Sequence, residues 1–334
     1  MAQLLERLAK GKHEDLSDFI ANVDAATYPV TSLIPKDGEP DNTYMEWPAD
    51  NFPEPDTKGV VDGKDITDAE KKNAYENYRP LAGRIQLFRR VPSVSFLGVH
   101  LMNKAGVGKK KAMAKSIVKM LEVLKRDFEC AICSNNDSKQ DNGTDAYVTR
   151  GLGKWIQNEA QGDLPVDPIY RTPVESIISG VAAEDFTEDH LNDAMQSVWM
   201  QTKRNNTFQL VCGPAVRRRI SGFARLATAE AGTAVVRTMN QDATTRKLMN
   251  TVDIYTGDFG TCEVVPSPWL AYGEGDANLN TAFMLRPDML RAHMSPVIRL
   301  PQENNGGGES EILNIIGLLK VLNPLAHGKI VLGA

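Results

Sequence analysis

The chain has 334 residues, of which 38 are basic, 43 are acidic and 42% are hydrophobic, and its formal net charge is −5. This composition is ordinary for a folded globular protein and excludes a disordered chain, and the length allows two ordinary domains or one elaborated domain. No apolar run approaches the roughly 18 residues that span a bilayer, and the N-terminal sequence lacks the apolar core of a secretory signal, so we expect no membrane association.

The near-neutral total hides two adjacent segments of opposite charge. Residues 36–78 carry 12 acidic and 5 basic side chains, whereas residues 79–126 carry 12 basic and 1 acidic side chain. Two interpretations are open at this point. The segments are either two solvated faces that happen to be neighbours, or surfaces that each bind a partner of opposite charge.

The chain begins with a short amphipathic stretch at residues 3–22, in which leucines recur at helical spacing around Gly11. The segment Tyr28–Pro35 follows. Its prolines favour extended geometry in the residues before them, so we predict an extended conformation rather than a helix. This segment is typical of an arm that lies along a surface.

Residues 48–65 are rich in proline, glycine and aspartate, and they lie between strand-like sequences at Tyr44–Trp47 and Ile85–Phe88. Loops of this length are uncommon inside compact domains and are usually functional. We therefore predict a long acidic loop that becomes ordered against a partner.

The strongest helical pattern extends from Gly108 to Cys133, which corresponds to about 39 Å at 1.5 Å per residue. Its apolar positions recur at steps of three and four, which is typical of a helix with one buried face. The side chains assigned to the opposite, solvated face are Lys115, Lys119, Glu122, Arg126 and Glu129.

The second half of the chain begins with two predicted helices and an intervening strand, and strand signals dominate afterwards. Thr187 is a suitable N-cap for a second helix, and Gly213-Pro214 opens a short basic helix after the strand-like Phe208–Cys212. Further strands are predicted at Val252–Tyr255, Cys262–Val265, Ala282–Leu285, Val297–Leu300, Ile312–Leu322 and Lys329–Leu332, with a turn at Asn323-Pro324. The predicted fold class is α+β.

Two sequences resemble nucleotide-binding motifs, but neither has all the residues that its motif requires. The segment Asn103–Lys110 has the form of a phosphate-binding loop, but Asn103 stands where glycine is needed and Lys110 where serine or threonine is needed. Gly151-Leu-Gly153 begins a dinucleotide fingerprint, but Ile156 occupies the third glycine position. We find no nucleophile with an adjacent base, so we predict that the protein is not an enzyme and needs no cofactor.

The four cysteines are predicted to be reduced thiols, because the chain has no export signal. Cys130 and Cys133 have the spacing of half a zinc site, but no second pair completes it, and their helical position favours two small buried residues. The five histidines are scattered along the sequence. We therefore expect no metal site.

One sequence feature does indicate a binding surface. It is a basic cluster on the long helix, formed by Lys109, Lys110, Lys111, Lys115 and Lys119 and continued by Lys125 and Arg126. It is not interleaved with aromatic residues, so any contact with nucleic acid would be made to phosphates, without sequence preference. A solvated helix face is the other interpretation. An alternative function is accordingly a non-sequence-specific nucleic-acid-binding protein that uses residues 108–126.

Taken in order, these features resemble the major capsid proteins of tailed bacteriophages, which have the Hong Kong 97-type fold. The resemblance covers nearly the whole chain and rests on an ordered set of segments rather than on one motif. These segments are the arm that ends in Tyr28–Pro35, the loop that opens with Glu46-Trp47-Pro48-Ala49-Asp50, the long helix, Phe208–Cys212 with Gly213-Pro214, Asp253–Gly260 leading to Glu263–Pro266, and Leu319–Gly328.

The resemblance implies a domain organisation. It divides the chain into an N-arm (1–38), an extended loop (39–90), a peripheral domain (91–205 and 301–326) with its spine helix at 108–133, and an axial domain (206–300 and 327–334).

The resemblance also implies a structural subunit that self-assembles into hexamers and pentamers of an icosahedral head around double-stranded DNA. The subunit would be made and assembled in the host bacterial cytoplasm, with separate scaffold, portal and decoration proteins. The loop residues expected to contact a neighbouring subunit are Trp47, Asp50, Asp56, Asp62 and Asp65. The basic residues expected to face that loop or the packaged DNA are Lys109, Lys110, Lys111, Lys115, Lys119 and Arg126.

Overall fold

The computed structural model describes residues 27–68, 70, 71, 73, 75–97, 111–204, 206–223, 241–242, 247–248, 253–272, 280–302 and 307–333. For residues 111, 112, 206, 241, 242, 247 and 248 the description is confined to the backbone. The predicted helix at 3–22 and the segment Asn103–Lys110 lie outside the described residues.

The helices and strands are partly segregated along the described chain, with strands dominating after Phe223, in agreement with the predicted α+β class. The helices are α1 (Pro29–Leu33), α2 (Lys111–Ile132), α3 (Leu152–Trp155), α4 (Glu188–Thr202) and α5 (Pro214–Phe223). The strands are β1 (Tyr44–Ala49), β2 (Arg79–Arg84), β3 (Gln86–Arg90), β4 (Ser93–Val94), β5 (Ile177–Ala182), β6 (Asn206–Cys212), β7 (Gln241–Asp242), β8 (Lys247–Leu248), β9 (Ile254–Gly257), β10 (Gly260–Pro266), β11 (Thr281–Leu285), β12 (Leu290–Met294), β13 (Ile298–Gln302), β14 (Glu309–Val321) and β15 (Gly328–Gly333).

The chain forms two compact units. In the described part, the smaller unit contains segments of Arg89–Lys125 and Val297–Asn314, and the larger unit contains segments of Tyr28–Phe88, Arg126–Pro296 and Ile315–Ala334. Both α2 and β14 contribute residues to each unit.

The larger unit is built around a six-stranded mixed sheet with the order β5-β15-β11-β6-β10-β9. Its central strand β6 pairs antiparallel with β11 and parallel with β10, so that Val211 lies opposite Phe283 and Phe208 opposite Cys262. Apolar side chains from one face of this sheet form a core with α4 and α5. This core contains the apolar faces of the helix predicted after Thr187 and of the predicted strand Phe208–Cys212.

The long strand β14 pairs with different partners along its length. In the larger unit, its residues Gly317–Val321 pair antiparallel with β12. In the smaller unit, its earlier residues pair with β13, and Glu309 and Ser310 pair with β4. The predicted strand at Ile312–Leu322 is thus confirmed and begins three residues earlier than expected.

The predicted long helix is confirmed over Lys111–Ile132. Its apolar face is buried, as expected from the spacing, at Met113, Ile117, Leu124, Phe128 and Ile132. Within the larger unit, the Phe128 ring packs edge-on against Phe88, with 5.8 Å between the ring centroids. None of the helices among the described residues combines the length and apolar character needed to cross a membrane.

The predictions for Glu129 and for Tyr28–Pro35 were wrong. Glu129 was assigned to the solvated face of the long helix, but it is fully buried. Pro29–Leu33 forms a short helix in which Ser32 N donates to Tyr28 O and Ile34 N to Val30 O. Proline is compatible with a helix here because Pro29 occupies the first turn, where a backbone N–H has no intrahelical partner.

Candidate inter-subunit surfaces

The acidic loop (residues 50–78) connects the two strands of a hairpin. β1 pairs antiparallel with β2 in a continuous register from Tyr44 opposite Arg84 to Ala49 opposite Arg79. The strand that pairs with β1 ends at Arg84, and the strand-like sequence at Ile85–Phe88 corresponds to the next strand, β3. The hairpin fixes both ends of the acidic loop at neighbouring positions.

Trp47 attaches this hairpin to the interior of its own subunit. Its side chain is 3% exposed, and its indole N–H donates to the backbone oxygen of Val321 at 2.9 Å. Its ring lies 5.8 Å from the Trp155 ring, and the ammonium group of Lys320 lies 5.8 Å from the Trp47 ring. Among the five loop residues expected at a subunit interface, Trp47 thus differs from the four aspartates in being buried.

A chain of ion pairs holds the end of β2. Arg84 Nε donates to Asp163 at 2.7 Å, and the buried Arg150 donates to the backbone oxygen of Asp163 and to Asp137, the latter at 2.8 Å. Burial alone would raise the pKa of Asp137, but the hydrogen bond and charge of Arg150 outweigh it and lower the pKa. The Arg150 guanidinium also stacks 4.7 Å from the Trp155 ring centroid. The base of the hairpin is therefore fixed by charged as well as apolar contacts.

The acidic loop itself is exposed. Every described residue from 50 to 76 is exposed, including Asp50, Asp56, Asp62 and Asp65. Asp50 and Asp56 accept hydrogen bonds from nearby backbone N–H groups of the loop, both at 2.9 Å. Residues 50–78 contain eight acidic and four basic side chains. The acidic surface predicted from the sequence is thus presented to solvent in the isolated chain.

The acidic loop also exposes large apolar side chains, with Phe52 the most exposed at 93%. The exposed apolar and aromatic residues of the acidic loop are Phe52, Val60, Val61, Ile66, Tyr75 and Tyr78. Single exposed apolar residues are normal, but several on one segment indicate an interaction site. The sequence analysis singled out the aspartates of this loop and missed these residues.

The basic face of α2 is described in part. Lys115 and Lys119 are exposed, and Val118 between them is 62% exposed. The backbone of Lys111 belongs to α2, whereas Lys109 and Lys110 lie outside the described residues. The part of this face that the structure describes therefore combines positive charge with an exposed apolar side chain.

Arg126, the last residue of the predicted basic face, is half-buried. Its guanidinium lies 5.6 Å from the centroid of the Trp269 ring, which is a favourable arrangement for a cation and an aromatic face. Arg126 thus packs within its own subunit, unlike Lys115 and Lys119.

The rejected dinucleotide-like sequence Gly151-Leu-Gly153 has a structural role. A Cβ atom on Gly151 would overlap the backbone oxygen of Ser134, and one on Gly153 would overlap the Asn135 side chain, so these glycines allow two segments to approach closely.

The four cysteines are free thiols. Burial raises the pKa of the Cys130 and Cys212 thiols to about 11 and that of Cys262 to about 12. Within the described residues, no cluster of three or more metal-ligating side chains is found.

Comparison with solved structures identifies the fold. The chain is similar to the capsid of the cyanophage P-SCSP1u, with a TM-score of 0.59, 10% sequence identity, and coverage of 100% of this chain and 95% of that chain. It is similar to the Gordonia phage Cozz structure (TM-score 0.53, 17% identity, 99% of both chains). It is also similar to the capsid of the Myoviridae phage XM1 (TM-score 0.55, 10% identity, 99% of both chains). The fold is therefore the Hong Kong 97-type fold of phage capsid proteins.

The family follows from the sequence itself. Residues 4–332 match the family described as SU10 major capsid protein, and the chain belongs to that family. No curated protein matches the chain significantly. The protein is thus a major capsid protein of the phage type and a structural component of the virion capsid. The alternative of a nucleic-acid-binding module receives no support from these comparisons.

Proposed function

We propose that this capsid subunit self-assembles into hexamers and pentamers of an icosahedral head that encloses double-stranded DNA, and that assembly takes place in the host cytoplasm. The proposal includes the division into an N-arm (1–38), an extended loop (39–90), a peripheral domain (91–205 and 301–326) and an axial domain (206–300 and 327–334). Separate scaffold, portal and decoration proteins complete the proposed particle.

The proposal that subunits assemble through the acidic loop rests on the exposure of apolar side chains on that loop. Phe52 and Ile66 are 93% and 77% exposed, and burying such side chains stabilises an interface by about 1.5–3 kcal/mol each. The base of the hairpin is fixed through Trp47, so a neighbouring subunit could bind the acidic loop without rearranging its attachment. Contacts between different surfaces of identical subunits close into rings, as capsomers require.

The basic face of α2 is the surface whose chemistry fits this loop. Lys115, Val118 and Lys119 offer positive charge around an exposed apolar group, which is complementary to an acidic loop with exposed apolar residues. The same lysines could instead neutralise phosphates of the packaged DNA, which is a salt-dependent contact without sequence preference.

Paired substitutions in the acidic loop test the assembly contact. Phe52→Ser with Ile66→Ser removes apolar surface, whereas Phe52→Leu with Ile66→Val retains it at the same positions. We expect the serine variant to yield fewer shells than the wild type in sedimentation velocity and negative-stain microscopy, and the conservative variant to assemble normally. Shells at wild-type yield from the serine variant would contradict the proposed role of the loop.

Neutralising lysines separates the two roles of the basic face. Lys115→Gln with Lys119→Gln should lower shell yield if these residues bind the acidic loop, and should lower the DNA content of normal shells if they face the genome. The same substitutions at Lys109, Lys110 and Lys111 should act in the same direction, and less strongly at high salt, where ionic contacts are already screened. Unchanged shell yield and unchanged DNA content in both sets would contradict either role.

A further inference from the structure

The first turn of α1 is capped by a residue from a different helix. The first N–H groups of any helix lack partners within it, and here the Tyr28 side chain at the N-cap position does not cap them. Instead, Glu129 on α2, 99 residues away, accepts from Val30 N at 2.8 Å and from Thr31 N at 2.7 Å. The Thr31 hydroxyl also donates to Glu129, at 2.5 Å.

This arrangement favours an ionised carboxylate. Glu129 is 0% exposed, and Val30 beside it is also fully buried. Three donors converge on the two Glu129 oxygens, and an ionised carboxylate accepts hydrogen bonds without donating any. The N-terminus of a helix also favours a negative charge. In a protonated carboxyl group, only the Thr31 hydroxyl could turn to accept the new O–H, because the two backbone N–H groups can only donate.

Burial and hydrogen bonding act on this carboxyl in opposite directions. Burial raises the pKa of Glu129 above its ordinary value, and the three hydrogen bonds from Thr31 and Val30 offset part of that rise. Protonation of Glu129 therefore begins at a higher pH than for an exposed glutamate.

We propose that the Glu129 carboxylate is the anchor that holds Pro29–Leu33 against α2, so that loss of this carboxylate loosens the segment. On its C-terminal side the segment is held by backbone contacts. Lys36 forms a β-bridge with Ala292, and Ala292 N donates to Pro35 O at 3.0 Å. The structure thus assigns Glu129 a positioning role for the N-terminal arm, whether or not the subunit assembles as proposed above.

Hydrogen–deuterium exchange of the full chain tests the proposal, with protection factors corrected for the intrinsic pH dependence of exchange. In peptides that cover Pro29–Ile34, we expect Glu129→Gln to lower protection about tenfold at pH 7, because hydrogen bonds to a charged group are lost. Thr31→Ala, which removes one of three donors, should give a smaller loss.

Glu122→Gln is the matched control, because Glu122 is on the same helix and pairs with Lys125 at 3.0 Å outside this contact. It should leave the protection of Pro29–Ile34 unchanged. Wild-type protection in a folded Glu129→Gln variant would overturn the proposal. If Glu129→Gln does not fold, Thr31→Ala decides, and wild-type protection of Pro29–Ile34 in that variant would overturn the proposal. Shell formation is measured separately, so neither result affects the proposed assembly function.

Discussion

Replacing Trp47 tests whether the hairpin is attached to its own subunit. The indole is buried, its N–H donates to Val321 O at 2.9 Å, and its ring packs near Trp155. Trp47→Phe retains most of the apolar contact but removes the donor, which leaves a buried backbone oxygen without that partner. Trp47→Ala removes both.

The expected magnitudes follow from these contacts. Loss of the buried hydrogen bond in Trp47→Phe should cost about 1–3 kcal/mol of unfolding free energy. Truncation in Trp47→Ala should cost about 3–5 kcal/mol, because the cavity cannot be refilled from the surrounding core. Since domains are stable by only about 5–15 kcal/mol, the alanine variant would lose a large part of its stability.

Urea unfolding of unassembled subunits, followed by circular dichroism, measures these losses. Tyr44→Phe is the control in the same strand, because the Tyr44 hydroxyl makes a 3.2 Å contact with Glu46 at the exposed surface. Its stability should stay within about 0.5 kcal/mol of the wild type. A Trp47→Phe subunit that is as stable as Tyr44→Phe but fails to assemble would refute the reasoning, since it would place Trp47 at a subunit interface instead.

Two further predictions concern the core and its pH dependence. Gly317→Ala should lower the unfolding free energy by about 1–3 kcal/mol, because the new Cβ would lie 2.5 Å from the Phe128 ring. Gly222→Ala is the control and should not be destabilised, because the space around Gly222 is open. A Gly317→Ala variant as stable as the wild type would contradict the packing of Gly317 against Phe128. Burial lowers the pKa of His327 to about 3. The neutral, buried imidazole therefore contributes fully to the unfolding free energy above about pH 6.5. This contribution is lost as the pH falls toward 3, by about 1.4 kcal/mol per pH unit. His327→Asn should flatten this slope in urea unfolding measured from pH 7 to 4, and an equally steep slope would exclude His327 as its source.

Local patterns in the sequence predicted much of the fold. The spacing of Met113, Ile117, Leu124 and Phe128 predicted the long helix and its buried face, because helical periodicity is a property of neighbouring residues. Gly213-Pro214 likewise predicted the start of α5. These signals depend on residues within a few turns or strand positions of each other.

The errors arose where a distant partner decides the outcome. Glu129 has the spacing of the solvated face, and its burial depends on Val30 and Thr31, which precede it by nearly a hundred residues. The same contact stabilises Pro29–Leu33 as a helix, which its prolines alone did not indicate.

In the candidate surfaces, too, the features set by local sequence were predicted and those set by distant partners were not. The exposure of Asp50, Asp56, Asp62 and Asp65 followed from loop composition, but the burial of Trp47 depends on Val321, at the far end of the sequence. Arg150 gave no recognisable signal, because its partners Asp137 and Asp163 are brought together by the fold.

A cryo-electron microscopy reconstruction of particles assembled from the wild-type chain tests the central claim most directly. The account predicts a closed shell of hexamers and pentamers in which an adjacent subunit covers the acidic loop and buries Phe52 and Ile66. A shell in which residues 50–78 remain exposed to solvent, or a purified chain that forms only small oligomers under assembly conditions, would contradict it.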